Sequence, residues 1–80
     1  MKIEWSPTAK QSAARFIRDQ EGMRRLVSAI DMLAEDPRPP EAFIRGEYHR
    51  LHVGPYRVLY LVQDPLITID RVDRIADHDG

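Results

Sequence analysis

YHRLHVGPYRVLYLVQDPLITIDRVDR, residues 48–74, is the stretch whose reading decides the fold. Apolar and polar residues alternate along it, and Gly54-Pro55 and Asp64-Pro65 interrupt the alternation twice. A period of two marks a half-buried strand, and a two-residue break between such runs marks a tight antiparallel hairpin. The spacing predicts three consecutive strands, 48–53, 56–63 and 66–72, arranged as an antiparallel meander.

The first break fixes a register. A two-residue loop at Gly54-Pro55 sets Val53 opposite Tyr56, His52 opposite Arg57, Leu51 opposite Val58 and Arg50 opposite Leu59, and opposed residues share a sheet face. Tyr48, Arg50 and His52 then lie with Arg57, Leu59 and Leu61, while His49, Leu51, Val58, Tyr60 and Val62 lie on the other face. The second set is the more apolar and is expected to pack under helices. The same logic at Asp64-Pro65 sets Asp70 opposite Leu59 and carries Thr68, Val72 and Arg74 to the first face.

Upstream, Lys2-Ile3-Glu4-Trp5 alternates and reads as a short first strand, which Ser6-Pro7 stops. Serine at the N-cap followed by proline at the first helical position is a helix start, because proline's missing N–H has no partner to lose there. A first helix is expected over 7–20, with Ala9, Ala13, Phe16 and Ile17 on one face. Gly22 breaks the pattern. A second period, Met23, Leu26, Val27, Ile30, Leu33 and Ala34, then runs to Asp36-Pro37, so the two helices read as a hairpin. Residues 37–46, with Pro37, Pro39 and Pro40, read as a loop. The expected class is α+β: an N-terminal strand, a helical hairpin and a three-stranded antiparallel meander, with both helices on one face of a small sheet.

Composition bounds the rest. Eighty residues suffice for one domain spanning 1–80, and 42% hydrophobic with 31% charged residues is an ordinary globular balance. The chain has no cysteine, which leaves no disulfide framework or thiolate chemistry and suits a reducing cytoplasm. No signal-like core or membrane-length apolar run occurs in it. A net charge of -1 argues against a general polyanion binder. The distribution is less even, however: Arg45, Arg50 and Arg57 with His49 and His52 face the single acid Glu47 in one short segment, and the acids Asp70, Asp73, Asp77 and Asp79 gather at the end.

Arg50, His52 and Arg57 thus converge on one face by alternation alone. Two guanidiniums and an imidazole suit phosphate binding with proton transfer, since arginine grips phosphate as a fork and histidine titrates near neutrality. The same three residues equally fit an inert solvated strand face. His49, Tyr56, Tyr60 and Trp5 read as packing residues, and Arg15, Arg18, Arg24 and Arg25 as a solvated helix face. No metal site is expected: His49 and His52 fall on opposite faces, and His78 lies in the tail. There is no phosphate-cradling glycine loop and no serine–histidine–acid signature.

Residues 48–74 resemble the RelE/ParE superfamily pattern of an arginine-rich strand, a VG-x-YR-V-x-Y hairpin and a last strand ending in RV. WSPTAK and LAEDP are similar to that family's entry to its first helix and exit from its second. The resemblance implies a RelE-like toxin of a type II toxin–antitoxin module, bound by a cognate antitoxin, with a toxin–antitoxin heterotetramer as one assembly open to it. It further implies ribosome-dependent, metal-independent mRNA cleavage, with the ribosome and mRNA as partners and no cofactor. DNA gyrase inhibition, or a decayed toxin that keeps only antitoxin binding, are the alternatives it leaves. Arg50, His52, Arg57 and Arg74 are the catalytic positions carried over, and His78 is a further candidate proton carrier. Ile75 and Asp79 stand where the family commonly has arginine and tyrosine.

Overall fold

The computed structural model describes residues 1–75. Its elements are β1 (Lys2–Trp5), α1 (Pro7–Ala14), α2 (Gln20–Met32), β2 (Phe43–Arg45), β3 (Tyr48–Val53), β4 (Tyr56–Gln63) and β5 (Leu66–Arg74). The five strands form one sheet in the order β1-β5-β4-β3-β2, in which β1 runs parallel to β5 and every other pair is antiparallel. Both helices pack on one face. The α+β class, the helical hairpin and the β3-β4-β5 meander are as expected; the parallel pairing of β1 and the extra strand β2 enlarge the sheet.

β2 corrects the expectation that 37–46 is loop throughout. Arg45 pairs with Tyr48 across the two-residue turn Gly46-Glu47, and Gly46 takes a φ of 65°. Only glycine adopts that left-handed value at no steric cost, so the turn depends on it. Gly54 does the same at the β3–β4 turn, with a φ of 59°.

The helix boundary also differs. α1 ends at Ala14 rather than near Gln20, and the chain then tightens into i→i−3 bonds, Phe16 to Ala13, Ile17 to Ala14 and Asp19 to Phe16. Asp19 is the reason a new helix starts here: its Oδ1 accepts from the Gly22 N–H at 3.0 Å and caps α2. Gly22 therefore lies inside the first turn of α2 and does not separate the helices. The early stop turns Ile17 outward, 68% exposed, whereas Phe16 stays against the Tyr56 ring at 5.3 Å.

The core lies between sheet and helices. Ala9, Leu26, Ile30 and Leu33 from the helical layer meet Leu51, Tyr56, Val58, Tyr60, Val62, Ile67, Ile69 and Val72 from the sheet. Ile3 and Trp5 pack at its margin, as alternation in β1 requires. Val27, grouped with the apolar period of α2, is 45% exposed. Tyr60 donates its hydroxyl to the Pro37 carbonyl at 2.9 Å and so holds the loop after α2 against the sheet. Burial pushes the Tyr60 phenol up to about 12.

β5 carries a bulge that decides which side chains reach the open face. Tyr60 pairs with Ile69, but Leu59 pairs with Arg71, so Asp70 is left without a partner strand residue. Two α1-flanking and α1 serines satisfy the freed backbone: Ser6 Oγ donates to the Asp70 carbonyl and Ser12 Oγ accepts from the Val72 N–H, both at 3.0 Å. β1 covers the β5 edge only from Leu66 to Ile69, and α1 packs over the remainder of the strand. Beyond the bulge the face alternation is inverted. Val72, expected on the open face, is instead buried in the core at 1% exposure.

Candidate functional site

The face away from the helices is a lattice of side chains in cross-strand rows. One row reads His52, Arg57, Asp73 across β3, β4 and β5; the next reads Phe43, Arg50, Leu59, Arg71 across β2 to β5; a third reads Arg45, Tyr48, Leu61, Thr68. Directly opposed residues sit about 5 Å apart and same-face residues along a strand about 7 Å apart. Arg50, His52 and Arg57 therefore converge within one or two residue spacings, in the register deduced from the Gly54-Pro55 loop.

The local environment of each differs. His52 is exposed and faces Arg57 directly. Arg50 is half-buried, with its guanidinium stacked over the Phe43 ring at 4.8 Å. Arg57 donates from Nη2 to Asp73 Oδ2 at 3.2 Å, and its Nε is buried with no hydrogen-bond partner among the described residues. A guanidinium carries five N–H donors, so the Nη hydrogens not engaged by Asp73 are the ones left for an incoming anion. His49 takes the opposite face and packs on Tyr60 at 5.1 Å, with Nδ1 donating to the Glu47 carbonyl at 3.0 Å.

Arg74 does not join them. The bulge pairs it with Tyr56 on the helix-facing side, where its guanidinium lies 5.7 Å from the Tyr56 ring centroid. The same inversion brings Arg71 and Asp73 to the open face, two residues the uninterrupted register did not place there. Their signal was in the sequence: Ile67, Ile69 and Val72 break the period of two after Ile69. His78 and Asp79 lie outside the described residues.

Around Tyr56 the helix-facing side holds a second polar group. The Tyr56 hydroxyl donates to Asp19 Oδ2 at 2.6 Å. This bond, with the Gly22 N–H and the Arg74 and Arg25 charges, lowers the Asp19 carboxyl below its ordinary range against the opposing effect of burial. The Asp19 bond and burial raise the Tyr56 phenol.

An α+β layer with an open arginine-rich sheet face is the class of molecule these residues define. The family model for the ParE toxin of type II toxin–antitoxin systems matches residues 3–78. The chain belongs to this family, within the RelE/ParE superfamily that its hairpin resembles. No curated protein is similar enough in sequence to match. Among solved structures, YafQ from Escherichia coli is 19% identical with a TM-score of 0.73, over 99% of this chain and 98% of that one. YafQ in the Escherichia coli DinJ-YafQ toxin-antitoxin complex is 20% identical with a TM-score of 0.73, over 99% and 97%. The RelBE2 toxin-antitoxin complex from Mycobacterium tuberculosis gives 20% identity and a TM-score of 0.65, over 91% and 95%. At these identities the similarity is one of fold.

Proposed function

We propose that this toxin blocks translation by cutting mRNA on the ribosome without a metal ion, and that a cognate antitoxin restrains it. The observation that carries the reading is the row geometry: His52 faces Arg57, Arg50 lies beside them, and Arg71 extends the positive charge across Leu59. Gyrase inhibition works by binding alone and needs no imidazole among the arginines. That is why RNA cleavage is the favoured reading and gyrase the alternative.

Metal-free cleavage of RNA requires the 2′-hydroxyl to lose its proton and attack the adjacent phosphorus. The new 2′-O–P bond forms as the P–O5′ bond breaks, and the departing 5′-oxygen takes up a proton. Arg50 and Arg57 stabilise the charge that builds on the phosphorane oxygens. His52 carries one of the two proton transfers. Arg71 binds a neighbouring phosphate. Arg74 acts from the opposite side of the strand, against Tyr56, and holds the end of β5 in place rather than touching substrate.

The antitoxin reading rests on family membership and on the toxin–antitoxin complexes that relatives of this fold form. A ribosome target places the action in the cytoplasm. In vitro translation with primer extension on the message tests the proposal. The expected result is new 5′ ends inside the reading frame, present only with ribosomes and unaffected by EDTA. An intact message, together with gyrase-linked DNA breaks in expressing cells, would move the assignment to the gyrase reading.

A further inference from the structure

At the β2–β3 end of the open face lies a cleft of about 230 Å³ lined by Phe43, Arg45, Tyr48, Arg50 and Leu59. Phe43 is 56% exposed and Tyr48 55% exposed, an unusual amount of bare aromatic surface for so small a chain. Tyr48 and Arg50 are two residues apart on one strand face, so their side chains rise about 7 Å from each other. Stacked bases repeat every ~3.4 Å along a nucleic-acid strand. The rise of about 7 Å between Tyr48 and Arg50 is twice that repeat, the spacing one aromatic plane needs between two neighbours.

The charge fits the same ligand. Arg45 pairs with Tyr48 and Arg50 pairs with Phe43, so each row of the cleft carries an arginine, and no acidic residue lines it among the described residues. The Arg50, Leu59, Arg71 row leads the positive charge away from the cleft along the sheet. A positive track with aromatic platforms, open to solvent, is the arrangement that takes single-stranded nucleic acid; a duplex hides the base faces such platforms need.

We infer that Phe43, Arg45, Tyr48 and Arg50 form a subsite for one unstacked nucleobase and its flanking phosphate in single-stranded RNA. This inference rests on the RNA reading and adds to it a specificity-determining position outside the His52–Arg57 row. The base inserts between Tyr48 and the Arg50–Phe43 stack, and Arg45 holds the phosphate.

Fluorescence anisotropy with a labelled oligoadenylate hexamer, and with the same length of RNA duplex, tests it on the whole chain. The hexamer is expected to bind better than the duplex. Phe43→Ala and Tyr48→Ala should each weaken hexamer binding by about tenfold, Tyr48→Phe should restore it, and Arg45→Ala should reduce the salt slope by about 0.7. Thermal unfolding of each variant separates lost binding from lost folding. A parent chain that ignores the hexamer, or aromatic variants that are folded and bind like the parent, overturns the subsite. So does the outcome in which these variants lose antitoxin binding alone, which assigns the cleft to a protein partner. The readout needs neither ribosome nor cleavage: a chain that binds but never cuts mRNA ends the nuclease reading and leaves the subsite standing, and the converse result does the reverse.

Discussion

The Tyr56 hydroxyl reaches Asp19 Oδ2 at 2.6 Å, so the first residue of β4 is bonded to the cap of α2. One carboxylate thereby serves two donors, the phenol and the Gly22 N–H. The helix junction and the central hairpin are fixed to each other through this residue.

That bond gives stability a defined pH window. Asp19 is lowered from 3.8 in the fold, so its contribution is present above that value and is lost as pH falls through the folded value. Tyr56 is raised from 10.0, so its contribution is present below that value and is lost as pH rises through the folded value. In denaturant titrations, Tyr56→Phe should be less stable than the parent by the largest margin near neutrality. The margin should narrow in strong acid and above the ordinary phenol range. A margin independent of pH would show that the bond is not the cause.

Gly22→Ala reverses the usual sign of a helical substitution. Alanine commonly gains about 0.5–1 kcal/mol over glycine inside a helix. Here a Cβ would meet Asp19 Cγ at 2.7 Å and Tyr56 Cε2 at 2.9 Å, and would strike Asp19 Oδ2. That oxygen cannot swing away without releasing the Tyr56 hydroxyl. A loss of about 1–3 kcal/mol is expected, the range of an overpacked core, and a gain in unfolding free energy would contradict the geometry.

Leu51→Ala tests which face of the sheet is the core. Leu51 is 5% exposed and pairs with fully buried Val58 under the helical layer. Truncation should cost about 2–4 kcal/mol. Leu59→Ala on the neighbouring position, half-buried on the open face, should cost clearly less.

The sequence made one hairpin legible in full and the next only in part. Gly54-Pro55 announces a two-residue turn, and every pair of β3 with β4 agrees with it. The β4–β5 register holds only from Gln63 to Tyr60, because a bulge depends on the groups that satisfy the freed backbone, and Ser6 and Ser12 lie far away in the chain. The phase break at Val72 was the local trace of it. β2 was hidden by the prolines before it, although Gly46-Glu47 between Arg45 and Tyr48 is a two-residue turn signal of the same kind. For the site, Arg50, His52 and Arg57 were readable because they belong to the first hairpin. Arg71 and Asp73 were not, and Arg74 was placed on the wrong face, since all three lie past the bulge.

His52→Ala should slow cleavage about 10²–10⁴-fold, the usual contribution of a positioned proton carrier. His52→Gln should not restore it, because glutamine hydrogen-bonds but does not titrate. Single-turnover cleavage on programmed ribosomes measures both. Recovery in His52→Gln would reduce the role of His52 to hydrogen bonding.

Asp73 pairs with Arg57, the guanidinium proposed to receive a substrate phosphate, and this pairing allows function to be separated from fold. Arg57→Ala should cost about 10²–10³ in cleavage rate by removing preorganised charge, and Arg50→Ala should do the same. Unfolding midpoints should change little, because both side chains lie on the open face and the Arg57–Asp73 pair is about one-third exposed on each side, at 35% and 32%. Partly exposed pairs of this kind contribute about 0.2–1 kcal/mol at most. Asp73→Asn removes the competing carboxylate and leaves the guanidinium in place. Binding of single-stranded RNA should then tighten by about 1.4- to fivefold, the same 0.2–1 kcal/mol expressed as an affinity. Two outcomes would count against the site. If Asp73→Asn abolishes cleavage as completely as Arg57→Ala, the carboxylate is orienting Arg57 rather than competing with the phosphate. If Arg50→Ala and Arg57→Ala both remain fully toxic, the open face is not where the RNA is cut.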